Sequence, residues 1–474
     1  MPAPRRRVRV DAQVLRAGFA AIRDELQVPV DFPADAAAEA ASAARDGGPV
    51  IAGGRADLTD VPFVTIDPPG SRDLDQAVHI ARDGAGFRVR YAIADVAAFV
   101  TPGGALDQAV RERALTIYCP DVRVGLHPPV LSEGAASLLP GQDRPAVVWD
   151  VLLDAGGEVR TAAVARALVR SRAQLDYPSE QRALEAGTAD PMLTLLVEVG
   201  TLRAALERAR GGVSLGKPEQ EVVDRSDGSW DLEFRAPLPI EEHNAQISLL
   251  TGMTAAAMML DAGVGVLRTM PAADAADLKR LRRRALALGV AWPEGATYPE
   301  VLLSLDRTTP SSAAFLTAAV TLFRGAAWEP FRGTTPADVV HGAVAAPYAH
   351  VTAPLRRLVD RYGTEVCLAA TAGRPVPEWV LGGLDGLGEA MAEGSRRASA
   401  VDRACTDLVE AAVLAPHVGQ VFDGVALDER TVQLARPAVV ARTAEAGLPA
   451  GRRVRVELVR ADPGSREITL RAVG

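Results

Sequence analysis

The chain has 474 residues, 48% hydrophobic and 24% charged, with a formal net charge of −8; that is enough for a large core and two or three domains. It has no run of about 18 or more uncharged apolar residues, and Asp11-Ala12-Gln13 follows the basic start Met1–Val10 where a secretory leader needs apolar residues. Neither a membrane association nor export is therefore expected. Cys119, Cys367 and Cys405 are odd in number, far apart in sequence and without a C-x-x-C, which argues against a disulfide framework or a zinc site and fits a reducing, cytoplasmic setting. The acidic balance does not advertise a polyanionic partner. Lys217 and Lys279 are the only lysines, so nearly every cation is an arginine, the better fork for phosphate. Clusters such as Arg280–Arg284 or Arg396, Arg397 and Arg403 read mostly as decoration of helices, with a minority available to line a channel.

In chain order, residues 1–55 read as a basic tip, an amphipathic helix Ala12–Leu26, a break at Pro29 and Pro33, an Ala-rich helix Ala34–Ala44 and a Gly-rich link Gly47–Gly54. The apolar run Val61–Ile66 predicts a buried strand that stops at Pro68-Pro69-Gly70. Asp67, Asp73 and Asp75 then fall within nine residues. Carboxylates this close repel unless a cation lies between them, and the usual one is a hard divalent ion on oxygen ligands, Mg²⁺ above all. On spacing alone a solvated turn explains the same pattern more readily than a metal site. Val78-His79-Ile80, a polar turn at Asp83–Gly86 and Phe87–Val96 complete a strand, acid-bearing loop, strand, hairpin, strand arrangement, with a further buried-looking acid at Asp95.

The stretch TIDPPGSRDLDQA, Thr65–Ala77, followed by YAIADVAAFV, Tyr91–Val100, resembles the catalytic signature of the ribonuclease II/ribonuclease R exoribonucleases, the RNB family. The resemblance implies an α+β fold: an RNB catalytic domain (a mixed sheet surrounded by helices around an RNA channel) over residues 56–415. It also implies that Asp67, Asp73, Asp75 and Gln76 hold Mg²⁺, with Mn²⁺ as a possible substitute. Asp73, Asp75 and Arg356 would be catalytic. Family members normally carry two cold-shock barrels ahead of this domain, whereas residues 1–55 read as helical.

The likeness continues along the chain. Leu106–Ala114 predicts a helix leading to Leu115–Pro120, where Tyr118 corresponds to the family's base-stacking tyrosine. Leu131–Pro140 with Arg144, and Arg170–Tyr177, resemble further family segments, the latter placing Tyr177 as a second RNA-associated aromatic. Strands are expected at Val147–Leu153 and Val159–Ala167, and a helix at Pro191–Arg210. Leu215–Val222 also resembles a family segment. Ile240-Glu241-Glu242 opens a long helix to Leu260, with Glu242 implied at the terminal nucleotide and His243 structural. Tyr348–Asp360 resembles the second family signature. There Thr352 and Pro354 predict a helix start with outward N–H groups, an anion site to which Arg356 and Arg357 add a fork. Arg396–Arg403 resembles the last element, with Asp402 where the family has Glu.

Residues 416–474 change character. Strand-like runs at Gln420–Leu427, Thr431–Val440, Arg453–Arg460 and Glu467–Val473, separated by turn residues, suggest a small OB-like β-barrel. The resemblance implies a 3′-to-5′ exoribonuclease that hydrolyses single-stranded RNA to nucleoside 5′-monophosphates, with no obligate protein partner evident. One position departs from it. The family motif ends in D-x-D-D and here Gln76 stands in the last place, a neutral ligand at most. The alternative is therefore an RNA-binding protein that keeps the fold but cuts weakly or not at all.

Overall fold

A computed structural model describes residues 12–48, 54–213, 219–224, 230–307, 309–434 and 436–473. The basic tip, most of the Gly47–Gly54 link and the first part of Leu215–Val222 lie outside the described residues. Helices α1 (Ala12–Glu25) and α2 (Ala34–Arg45) come first; α2 buries Ala36, Ala40 and Ala43, small residues spaced along one helical face.

The mixed sheet is closed on itself. Strands β1 (Ala56–Asp67), β2 (Gln76–Asp83) and β3 (Gly86–Ala94) run antiparallel in turn. After β3 come helix α3 (Ala105–Arg113) and a two-residue hairpin, β4 (Ile117–Tyr118) with β5 (Arg123–Val124). Strand β6 (Asp143–Leu153) then pairs with β3, and β7 (Val159–Asp176) pairs with β6 and closes the barrel by running parallel to β1. Trp149, Tyr91, Phe63 and Phe87 are fully buried in this core.

Helices α4 (Tyr177–Glu185), α5 (Pro191–Ala209), α6 (Pro239–Ala262) and, later, α10 (Leu358–Thr371) flank the barrel. Between α5 and α6 lies the hairpin β8 (Glu219–Asp224) with β9 (Trp230–Arg235). Strand β10 (Val264–Thr269) pairs with β11 (Ala327–Arg332), and the short β12 (Val340–His341) with β13 (Ala346–Pro347). Helices α7 (Ala275–Leu288), α8 (Tyr298–Leu303) and α9 (Pro310–Ala319) build a separate small core. After α11 (Glu378–Leu384), the 28-residue α12 (Leu387–Leu414) packs on α1, on β9 and on the C-terminal barrel, tying them into a second core.

That barrel closes in the order β14 (Val421–Ala426), β15 (Thr431–Leu434), β16 (Val440–Thr443), β18 (Glu467–Val473), β17 (Arg453–Asp462). The run expected as one strand over Thr431–Val440 is thus two, paired antiparallel. Pro437 between them has no N–H to give a ladder. The three cysteines are free. No helix among the described residues is long and apolar enough to cross a membrane.

Candidate active site

Strand β1 ends at Asp67 and β2 begins at Gln76, so the loop carrying Asp73 and Asp75 sits at one end of the first barrel. Its shape is fixed by the segment after β5. Ser137 Oγ donates to the Arg72 carbonyl at 2.6 Å and accepts the Leu74 N–H at 3.0 Å, and the Leu138 N–H donates to the Leu74 carbonyl at 3.0 Å. The Ala94 N–H donates to the Asp75 carbonyl at 2.9 Å.

The second predicted centre docks on the same loop. The Leu355 N–H donates to Asp75 Oδ1 at 2.7 Å, and Arg356 Nε lies 3.3 Å from Asp75 Oδ2. The Thr116 N–H donates to the Arg356 carbonyl at 3.0 Å and the Leu358 N–H to the Ala114 carbonyl at 2.9 Å. These bonds bring the β4–β5 hairpin, with Tyr118, beside Arg356. Tyr118 is 53% exposed and its hydroxyl is 3.5 Å from Asp73 Oδ2.

The three acids differ in surroundings. Asp75 is only 4% exposed, and burial pushes its carboxyl up to about 7 even though Arg356 and the Leu355 N–H oppose that rise. Burial, then the charge of Asp73, pushes Asp67 up to about 7 against Arg356, and Asp67 Oδ2 is a buried oxygen without a hydrogen-bond partner among the described residues. Asp73 is ion-paired with Arg123, whose other terminal nitrogen is 2.5 Å from Glu133 Oε1. Among the described residues, no group of three or more His, Cys, Asp or Glu converges closely enough to hold a metal ion as it stands: Asp73 and Asp75 are turned to arginines. The chemistry of the donor set nonetheless fits a hard cation, since it offers only carboxylate oxygens and one of them is buried and unanswered.

Other predicted residues take different places. Gln76 does not present a free amide. Its Oε1 accepts from the Tyr91 hydroxyl at 2.6 Å and its Nε2 donates to the Thr352 carbonyl at 2.6 Å. The expected helix start at Thr352 and Pro354 is a turn, and α10 begins only at Leu358. Its free N–H groups are claimed by acids of this chain: Asp360 Oδ1 takes the Ala353 N–H at 2.6 Å and Asp75 takes that of Leu355. Arg357 does not join Arg356 in a fork. It turns inward, with Nε 2.9 Å from Asp360 Oδ2 and a terminal nitrogen 2.7 Å from Oδ1.

The Tyr177 hydroxyl accepts from Asn244 Nδ2 at 2.9 Å, and Glu242 is exposed in the first turn of α6. Asp402 is exposed on α12 and lines a different cleft of about 690 Å³, shared with Gln220, Phe234, Arg403 and Glu410, which none of Asp67, Asp73 and Asp75 reaches. The clusters Arg280–Arg284 and Arg396–Arg403 lie mainly exposed on α7 and α12, whereas other arginines enter internal ion pairs: Arg166 meets Asp95 at 3.0 Å and also pairs with Glu365, and Arg361 meets Asp107 at 2.6 Å. Sequence reading missed Arg123. Its signal was the pair of turn formers Pro120-Asp121, which make Tyr118 and Arg123 partners across a tight hairpin.

A family model described as RNB domain matches residues 55–366, and one described as RNase II-type exonuclease C-terminal S1 domain matches residues 420–473. Ribonuclease R of Escherichia coli (strain K12) is 29% identical over 401 residues, 78% of this chain and 48% of that protein; the chain spans about half the length of the curated relatives it matches. The apo form of Mycoplasma genitalium RNase R superposes with a TM-score of 0.86 at 18% identity, covering 98% of this chain and 78% of that one. The same protein in complex with ribose-methylated single-stranded RNA gives a TM-score of 0.84, also at 18% identity.

Proposed function

Because the chain belongs to the RNB family and carries an RNase II-type C-terminal S1 domain, we propose that it is an exoribonuclease that removes nucleoside 5′-monophosphates one at a time from the 3′ end of single-stranded RNA. The observation that carries this is the meeting, at one barrel end, of the two sequence signatures: Asp75 takes the Leu355 N–H and Arg356, with Asp67, Asp73 and Tyr118 alongside. The likeness to a relative solved with single-stranded RNA supports the substrate class.

Asp67, Asp73 and Asp75 would hold Mg²⁺, or Mn²⁺ in its place. Bound there, the ion supplies Lewis-acid chemistry, polarising a phosphoryl oxygen and easing loss of a proton from water. The side chains do the rest. Arg356, 43% exposed, is placed to offset charge building on the phosphoryl oxygens. The open ring of Tyr118 stacks the terminal base, an interaction worth roughly 1–3 kcal/mol and indifferent to sequence. The Tyr177 ring and the Glu242 carboxylate are candidates for holding the terminal nucleotides. Gln76, with both ends of its amide engaged, positions the Thr352 turn rather than the ion, and neither Arg357 nor Asp402 is given a part.

Two features favour the alternative of an RNA-binding protein that no longer cuts: a neutral Gln76 where the family has an acid, and arginines answering two of the three remaining carboxylates. The deciding experiment is incubation of a 5′-labelled single-stranded RNA with the protein over a series of Mg²⁺ and Mn²⁺ concentrations, beside Asp75→Asn. A ladder shortening from the 3′ end by single nucleotides, absent in the variant, is the expected result. RNA that is retained in a shift assay but left intact under either ion would overturn the nuclease reading.

A further inference from the structure

Tyr118 and Arg123 stand opposite each other on the β4–β5 hairpin, so their side chains share one face. Both reach the same carboxylate: the Tyr118 hydroxyl approaches Asp73 Oδ2 and the Arg123 guanidinium pairs with Asp73 Oδ1. Building on the exoribonuclease reading, we propose that Arg123 is an exchangeable cation: it neutralises Asp73 while no divalent ion is bound, and turns to a substrate phosphate once Asp73 takes up the ion.

Competition for one carboxylate is the first reason. A hard dication on Asp73 shares the single negative charge that the guanidinium now neutralises, and the two positive charges repel at that distance. Arg123 must therefore give way. It has freedom to do so, since its side chain is 25% exposed, and Glu133, 2.5 Å from its other terminal nitrogen, keeps the guanidinium at the site after release. Arg72 Nε, 3.5 Å from Glu133 Oε2, steadies that anchor.

The neighbour of the released group is the second reason. Beside Arg123 lies the open Tyr118 ring, and an aromatic face next to a guanidinium fork matches the two halves of a nucleotide, base and phosphate. Asp75 is a contrast within the same loop. It keeps the Leu355 N–H as a fixed partner whatever Arg356 does, so Arg356 can serve the phosphoryl group without leaving its acid bare.

The exchange predicts opposite effects on two titrations of the full chain. In Arg123→Gln, checked for unchanged melting, Mg²⁺ added calorimetrically without RNA binds more tightly, by about threefold or more, because the competitor for Asp73 is gone. A short single-stranded RNA followed by fluorescence anisotropy in Ca²⁺, which takes the same oxygen ligands, binds about tenfold more weakly, the loss of a phosphate contact worth ~1.4 kcal/mol. Arg123→Lys keeps the charge without the fork, so its Mg²⁺ affinity stays near that of the wild type while its RNA affinity falls in between. Equal or weaker Mg²⁺ binding in Arg123→Gln overturns the exchange, because Arg123 then merely positions Asp73. Unchanged RNA affinity overturns it as well. A wild-type protein that takes up no Mg²⁺ by calorimetry and shortens no 5′-labelled RNA with Mg²⁺ or Mn²⁺ overturns the nuclease reading itself, an outcome separate from the Arg123 comparison.

Discussion

Asp95 and Asp75 are neighbours at one end of the first barrel, 2% and 4% exposed, and both face arginine. Asp95 is sealed. Arg55 reaches it at 2.8 Å and Arg166 at 3.0 Å, and Arg166 passes on to Glu365, another buried acid. Asp75 is open on one side: among the described residues it pairs with one arginine, Arg356, which is 43% exposed, and nearby Asp67 has an oxygen with no hydrogen-bond partner. Burial and an arginine partner therefore do not distinguish a structural acid from a working one. What distinguishes them is whether every partner lies inside the fold or one of them still faces solvent with capacity to spare.

The largest effect should come from opening the sealed case. Asp95→Ala takes the carboxylate away from Arg55 and leaves Arg166 with Glu365 alone, and breaking a buried pair in this way costs about 3–5 kcal/mol; urea denaturation should show a midpoint shifted accordingly, with activity falling only as the protein unfolds. Asp75→Asn should behave in the opposite sense. Asparagine keeps an acceptor for the Leu355 N–H, so stability should change by less than about 1 kcal/mol, while cleavage falls by about a hundredfold or more. Equal destabilisation by the two substitutions would erase the distinction between sealed and open acids.

Gln76→Asp tests the border between the two classes. Restoring an acid here looks, from the sequence, like restoring a ligand. In the structure the shorter side chain has no N–H for the Thr352 carbonyl and withdraws from the Tyr91 hydroxyl. Losing those bonds should cost about 1–3 kcal/mol, seen as a lower melting temperature, with no gain in Mg²⁺ affinity by calorimetry. Tighter Mg²⁺ binding at unchanged stability would instead make position 76 a ligand position, part of the open site.

Much of this was legible beforehand, and the failures have physical causes. The strand, acid-loop and hairpin order of residues 56–94 could be read because apolar runs alternate with Pro and Gly punctuation, a local signal. The helix start at Thr352 and Pro354 could not. Residue types favoured a cap, but Asp75 and Asp360 take the N–H groups of Leu355 and Ala353 and hold the segment as a turn. Arg356 and Arg357 are adjacent in sequence and point opposite ways because Asp360, one short step along the chain, captures the second. Arg123 was invisible for the complementary reason: its partners Asp73, on a loop, and Glu133, on the short helical turn Leu131–Ala135, are far apart in sequence, and no periodicity links them.

Glu410 supplies a third kind of buried acid, one whose hydrogen bonds among the described residues come from neutral donors. On α12 it accepts from Gln220 Nε2 at 2.7 Å and from the Val440 N–H at 3.0 Å, yet burial pushes its carboxyl up to about 7. A folded-state value above the usual one means that the folded protein holds a proton the unfolded chain has released. Stability should therefore fall as pH rises from about 4.5 to about 7 and level off above that, by an amount on the order of 1 kcal/mol for a group that can relax towards water. Asp67 and Asp75 are shifted in the same direction and add to the slope, so the informative quantity is the difference between two proteins. Glu410→Gln retains the acceptor and removes the charge; its melting temperature should drop less than that of the wild type between about pH 6 and about pH 8. If the two slopes coincide, the Glu410 carboxyl stays ionised in the fold, and neutral donors alone can seal a buried acid as well as arginine does.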